Sequence, residues 1–541
     1  MTRRPPNPRT WLAAAALPLV LAATALPTAP AAASTAPIVT TDHGAVRGAA
    51  TDGVERFLGI PYAAAPTGAR RWKAPEAPAS WDGVREASTF GNACPVLPST
   101  NGPRSETEDC LVVNVWRPVG TTSKDRLPVH VFIHGGGLVN GSGAQNDESP
   151  LVGRTGVIGV SLNYRLGVFG FLRTPGLAAE DANAGNYGFL DQEAALRWVQ
   201  RNIAAFGGRA SEVTIDGESA GGWSVCGHLV SRGSKGLFRR AMIQSGSCPS
   251  QTPARAGERG AAYVTTAGCA KPDPAAAVAC LRSASVATVL DASTDFSPRF
   301  VSGTPAFPVA PAKAVAKGDF RHVPILVGAN RDEGRTFAQD FIGASRSDYE
   351  DFVRSTFGSR ADDVLRHYRW PSTSNTFTAA YLVGGIETDS GLIAGIGGCT
   401  NRTLTRTFAK YTKTYAYEFD HQRGPGLTPV PGYVWGAGHA AELAYIWPSF
   451  NNGTPIAPLF DASEQRLSRE MTLSWGSFTR DGKPSVPDQP TWVRYRAKGH
   501  HHGRVMSLRA GGQSTLISDA TYVAEHKCAF WATMPTLDVT A

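Results

Sequence analysis

Gly217-Glu218-Ser219-Ala220-Gly221 sets a serine between two glycines, and its flanks say how that serine would be held. Residues 213–216 are a short apolar run of strand type, and residues 222–232 read as a helix. A G-x-S-x-G placed between strand and helix is a nucleophile elbow, a turn so tight that the hydroxyl stands above the sheet. A Cβ at either glycine would collide with the neighbouring strand or helix. Such a pentapeptide can also arise by chance in a glycine-rich chain, so partners must be found. An alcohol is a poor nucleophile; it needs a base, an acid to orient the base, and donors for the oxyanion. In this arrangement acid and histidine follow the serine, each after a strand. His439 lies in the small-residue loop Gly436-Ala-Gly-His-Ala-Ala-Glu442. The acid candidates are Asp332 and Glu333, just beyond a strand expected at 324–328. His134-Gly135-Gly136-Gly137 follows another buried run and frees the N–H groups of Gly136 and Gly137 to join that of Ala220 in an oxyanion hole. With twelve histidines in the chain, a lone one would be structural. The case for chemistry rests on all these parts standing in the right order.

The elements that must position these residues alternate. Strands are predicted at 111–116, 128–134, 157–162, 213–216, 240–244, 324–328 and 414–419. The run 128–134 carries Val129, Val131, Phe132 and Ile133 and suits a sheet buried on both faces. Helices are predicted at 189–205, stopped by Phe206-Gly207-Gly208, at 222–232 and at 464–478, with residues 337–392 also helical. Residues 38–47 and 54–58 alternate like an antiparallel pair. Residues 250–320, rich in Ala, Pro and Ser, read as helices and loops outside the sheet. This is a doubly wound α/β fold: a mostly parallel sheet, helices on both faces, and helical and loop excursions over the active site. No linker or repeat divides it, so residues 34–541 are expected to form a single domain.

Arg3, Arg4 and Arg9 precede an apolar run over 11–26 that ends in Ala31-Ala32-Ala33. The run is too short for a membrane anchor and ends like a cleavage site, so residues 1–33 are read as a signal peptide and the mature chain as secreted. Pro5 and Pro6 after the arginine pair favour ordinary secretion over a twin-arginine route. Cleavage removes three arginines and no acid, taking the formal charge from +8 to +5. That balance, without a basic patch interleaved with aromatics, does not point to nucleic acid, and no nucleic-acid partner is expected. Eight cysteines in an exported chain argue for disulfides. Cys94/Cys110 and Cys269/Cys280 are close in sequence, Cys399/Cys528 would tie down the C-terminal tail, and Cys226/Cys248 remain. His500-His501-His502 reads as a solvated turn rather than a metal site, and neither metal nor cofactor is called for. Asn140, Asn401 and Asn452 begin glycosylation triplets. Trp223, one turn beyond Ser219, is read as packing under the elbow, with a place in the pocket as the other reading.

From about residue 37 to 531 the chain resembles the type-B carboxylesterase/lipase family, the branch of the α/β-hydrolases that includes cholinesterases. The resemblance is carried by Phe57-Leu-Gly-Ile-Pro-Tyr62, Glu108-Asp-Cys-Leu-Val-Val-Asn-Val-Trp116, the glycine run, Phe206-Gly-Gly208 with the elbow, Asn330-Arg-Asp-Glu-Gly334 and Gly438-His439. It implies Glu333 rather than Asp332 as the acid. It implies disulfides Cys94–Cys110 and Cys269–Cys280, with Cys399–Cys528 compatible, and says nothing for Cys226–Cys248. It also implies a supporting network of Glu218, Ser245 and Glu442 behind the histidine. Three departures stand out. The loop 95–109 has no aromatic residue to face a quaternary ammonium, so neutral esters are expected over choline esters. Leu138 stands where an aromatic residue is usual and is expected to alter the pocket, and Arg209-Ala210 replaces an Asp-Pro. The expected function is a secreted serine hydrolase of small carboxylic esters. Alternatives of the same fold are a triacylglycerol lipase, a hydrolase of carbamates, lactones or polyesters, and a non-catalytic adhesion relative, against which the intact triad speaks. The oligomeric state is left open.

Overall fold

Alternation along the strands decides how the molecule is layered. In β7 (Leu127–Ile133), Val129, Val131 and Ile133 enter one hydrophobic core, while Phe132 between them enters a second core on the opposite face. The same split divides Ile325 and Val327 from Leu326 in β11 (Ile325–Asn330), and Ala241 and Ile243 from Met242 in β10 (Arg240–Gln244). Successive strand side chains point to opposite faces, so a strand apolar at every position must be covered on both sides. The helix Tyr187–Asn202 supplies Phe189, Leu196, Trp198 and Val199 to the first core. The helix Ala462–Asp481 supplies Leu467, Met471, Trp475 and Phe478 to the second.

This computed structural model describes residues 36–427, 430–451, 453–497 and 503–535. The segment 1–33, read from the sequence as a signal peptide, Asn452 and His500–His502 lie outside the described residues. The remaining strands are β1 (Ile38–Thr41), β2 (Gly44–Arg47), β3 (Ala49–Thr51), β4 (Val54–Pro61), β5 (Val84–Glu86), β6 (Val112–Pro118), β8 (Ile158–Leu162), β9 (Gly208–Glu218), β12 (Thr414–Phe419), β13 (Arg504–Leu508) and β14 (Thr515–Ser518). The large sheet runs β14-β13-β12-β11-β10-β9-β7-β8-β6-β4-β3. From β13 to β8 every neighbouring pair is parallel. The antiparallel pairs lie at the two ends. In register, Glu218 of β9 faces Gln244 of β10, and Gln244 faces Gly328 of β11. The carboxyl ends of β7, β9, β10 and β11 therefore open on one edge, where α/β sheets place their ligands.

Some sequence expectations change. Residues 38–47 do not pair with 54–58: β1 turns back on β2, whereas β4 pairs with β3 and β6. Alternation marks a half-buried strand but not its partner. The helical stretch 337–392 is broken into Arg346–Phe357, Ala361–His367 and Thr378–Ser390, the first break falling at Gly358 with φ of 51°. β13 and β14 carry too short a pattern to stand out in the sequence.

All eight cysteines are paired: Cys94–Cys110, Cys269–Cys280, Cys399–Cys528 and also Cys226–Cys248. The last ties the elbow helix Ala220–Val230 to the segment beyond β10. Cys399–Cys528 spans 129 residues, and loop-closure entropy assigns the largest stabilisation to the longest loop. The double variant Cys399→Ser/Cys528→Ser should lose roughly 2–5 kcal/mol of stability. Denaturant unfolding checks that loss, and the initial ester turnover of the still-folded variant should be nearly that of the parent. A folded variant without turnover would contradict a purely structural role.

Candidate active site

The Ser219 backbone is strained, with φ of 55° and ψ of −122°, a region that L residues occupy only when their surroundings compel it. Two hydrogen bonds hold it: Ser219 N–H to the Gln244 carbonyl at 2.9 Å, and Trp223 N–H to the Ser219 carbonyl at 3.0 Å. The flanking glycines are sterically required. A Cβ on Gly217 would sit 2.4 Å from the Gly221 backbone, and one on Gly221 only 2.0 Å from the Ile133 carbonyl oxygen. Strand and helix are thus pressed together, leaving the hydroxyl at the edge of a cavity of about 560 Å³. Ser219 itself is only 7% exposed.

Beyond β11, the Glu333 carboxylate accepts a hydrogen bond from His439 Nδ1 at 2.6 Å. A carboxylate can only accept, so Nδ1 carries a proton, and in the neutral imidazole it is Nε2 that keeps the lone pair. Asn330 staples the two loops together. Its backbone N–H donates to Glu333 Oε1 at 2.7 Å, and its side-chain amide donates to the Gly438 carbonyl at 2.7 Å and to Glu442. His439 N–H also donates to the Glu333 carbonyl at 3.2 Å. Asp332 points elsewhere, accepting from Ala437 N–H and Gln422 and pairing with Arg335 at 3.0 Å. The two adjacent acids are therefore separated, and Glu333 is the one that reaches the imidazole.

His439 Nε2 lies 3.2 Å from Glu218 Oε1, and among the described residues the Ser219 hydroxyl makes no hydrogen bond. Catalytic hydrogen bonds often tighten only with substrate in place. Burial disfavours the charged imidazole, but the carboxylates of Glu218 and Glu333 outweigh it and raise the His439 pKa to about 9. Burial raises Glu218 to about 7 against the pull of His439. Ser245 and Glu442, with Glu218 the network that the resemblance implies, are both fully buried nearby. The three side chains exchange no direct hydrogen bond; Glu442, raised by burial and then by the Glu218 and Glu333 charges, acts on this site through its field.

The glycine run leaves β7 with φ of 92° at Gly136 and 64° at Gly137. The N–H groups of Gly136, Gly137 and Ala220 have no acceptor among the described residues. His134 braces this turn: its Nδ1 bonds the Gly135 carbonyl at 2.9 Å, and its ring stacks on Tyr164 at 4.4 Å. Burial lowers the His134 pKa to about 4 and so keeps it neutral.

Leu138 lies fully buried in the main core, while its neighbours Gly137 and Val139 are in the cavity wall. Trp223 is in the wall as well as packed beneath the elbow. Loop 95–109 contributes Pro95, Leu97 and Asn101, and Asn140 also lines the cavity. Asn401 is buried. Other wall residues carry no motif and escape sequence reading, among them Phe337, whose ring lies 4.9 Å from the His439 ring, Phe296, and Arg299. Asn330, next to the acid, was open to reading as its anchor, because a short amide after a strand is suited to bond neighbouring backbone. Among the described residues no cluster of His, Cys, Asp or Glu could hold a metal ion.

Residues 35–531 match the sequence model of the carboxylesterase family. The chain is 33% identical to the fumonisin B1 esterase of Sphingopyxis macrogoltabida, across 92% of this chain and 93% of that protein. It is also 33% identical to the para-nitrobenzyl esterase of Bacillus subtilis, across 85% and 92%. A solved PNB esterase superposes with a TM-score of 0.74 at 30% identity, covering 91% of this chain and all of the other. The chain belongs to the carboxylesterase family and is an ester hydrolase of the α/β-hydrolase fold.

Proposed function

We propose that Ser219, His439 and Glu333 form the catalytic triad of this hydrolase. The observation that carries the reading is the 2.6 Å bond from His439 Nδ1 to Glu333 at the wall of the cavity that Ser219 also lines. Ser219 Oγ attacks the ester carbonyl while His439 Nε2 takes its proton. The oxyanion that forms is met by the N–H groups of Gly136, Gly137 and Ala220; removing one such donor costs roughly 10²–10³ in rate. The imidazolium returns the proton to the leaving alkoxide, and water then releases the acyl group by the same route. Glu218, at Nε2, and Glu442 favour the imidazolium when they are ionised, and Ser245 lies fully buried nearby. The substrates are small carboxylic esters, in keeping with relatives named for para-nitrobenzyl and fumonisin B1 ester hydrolysis.

The protein acts outside the cell as a single domain following its signal peptide. Four disulfides support this, and no described helix is long and apolar enough to cross a membrane. A phosphonofluoridate ester checks the triad directly: stoichiometric labelling mapped by peptide mass should fall on Ser219. A panel of p-nitrophenyl esters of rising acyl length, with a triglyceride emulsion, separates esterase from lipase.

The electrostatics make a pH prediction. His439 must be neutral to accept the proton, and its pKa is raised, so kcat/KM should climb with pH at a midpoint above 6.5, the ordinary histidine value. Replacing Glu218 by glutamine removes one of the charges that raise it. The rising limb should then move down by roughly 1 unit. An unmoved or upward-shifted limb would exclude Glu218 as the residue that sets His439.

A further inference from the structure

Of the described residues that line the cavity, Arg299 alone carries a fixed positive charge, and Glu218, turned toward His439, is the one carboxylate. Arg299 pairs with no carboxylate among the described residues. Its Nη1 donates to the Pro298 carbonyl at 2.8 Å and to Ser297 Oγ at 3.2 Å. Nε is buried without a partner, and Nη2 makes no hydrogen bond among the described residues. The used donors lie on one edge of the guanidinium. The unused pair, Nε and Nη2, forms the edge that grips a carboxylate through two parallel bonds. Such a charge is costly to keep half-buried and uncompensated. Burial and then the neighbouring Arg259 lower its pKa to about 10, which leaves it a cation at any working pH.

The group is also held in place. Its guanidinium lies over the Trp223 ring at 5.2 Å, and Trp223 is one helical turn beyond Ser219. The Arg299 carbonyl accepts from Gln251 at 3.2 Å, and Gln251 N–H bonds the Phe300 carbonyl at 2.8 Å. On the next residue, Val301 N–H is fixed to Asn186 at 2.8 Å. A cationic side chain with unused donors, on a braced segment beside the elbow and in the wall of the substrate cavity, is a built half-site for an anion.

We propose that Arg299 is a specificity residue that selects esters bearing a free carboxylate on one arm. This rests on the triad reading above and replaces the expectation of a preference for neutral esters, which came from loop 95–109 alone. It also strengthens the case against choline esters, since the Trp223 face is already covered by a cation.

The test uses two matched pairs, followed in a pH-stat at low ionic strength. Monomethyl adipate against methyl hexanoate places the carboxylate on the acyl arm. Acetylated γ-hydroxybutyrate against butyl acetate places it on the alcohol arm. In one pair kcat/KM for the anionic ester should exceed that for its neutral partner by roughly 10-fold or more, as a charge-assisted contact warrants. Arg299→Met should abolish that ratio, Arg299→Lys should retain part of it, and added salt should weaken it in the parent. A parent ratio below about 10 in both pairs overturns the proposal, and so does an undiminished ratio in Arg299→Met. Should the Met variant fail to fold, the parent ratio and its fall with salt decide the matter. Hydrolysis of the neutral esters without charge preference sinks this inference alone, whereas no hydrolysis of any ester and no labelling of Ser219 sinks the triad.

Discussion

Replacing Ser219 by alanine should lower kcat for ester hydrolysis by roughly 10⁴–10⁶-fold while leaving the thermal midpoint close to that of the parent. Several features make this a clean test of chemistry. Serine and alanine share a Cβ, so the strained φ of 55° is no harder for the variant to hold. The hydroxyl caps no helix N–H and bonds nothing else among the described residues, so no structural contact is lost. The turn itself is enforced by Gly217, Gly221 and the hydrogen bond from Ser219 N–H to Gln244, none of which the change touches. Burst kinetics with p-nitrophenyl acetate and calorimetry on the same preparation check both halves. Activity within tenfold of the parent would remove Ser219 from the mechanism.

Glu333→Gln should lower kcat on the order of 10³–10⁴-fold, whereas Asp332→Asn should cost less than about tenfold and show instead in stability. The two side chains are neighbours of like charge, yet their surroundings differ. Glu333 is 1% exposed and bonded to His439 Nδ1, so an amide there would present a donor to the ring and favour the wrong tautomer. Asp332 ties Arg335, Gln422 and the Ala437 N–H together and never meets the imidazole. A charge-neutral amide weakens that tie but leaves the Asn330 bonds to the Glu333 and His439 loops intact. Parallel kcat and thermal-melt measurements on the two variants separate the roles. A larger kcat loss in Asp332→Asn would transfer the acid's role to Asp332.

What could be read without coordinates was local or strictly ordered along the chain. Val129, Val131, Phe132 and Ile133 announce a doubly buried strand because each side chain's face follows from its parity. The elbow is legible because only glycine fits at 217 and 221, and the serine–acid–histidine order because each follows its own strand. The pairing of Cys226 with Cys248, the partners of β1 and β4, and the division of labour between Asp332 and Glu333 were not local. Each depends on which distant backbone comes alongside, and residue type does not encode that. Leu138 shows the same limit in reverse: its motif position suggested the pocket, but its φ of 63° sends the side chain into the core. Arg299 is the extreme case. It lies in an Ala/Pro/Ser-rich excursion with no motif, and its importance comes from the carboxylate it lacks, a property of three-dimensional surroundings that no stretch of sequence contains.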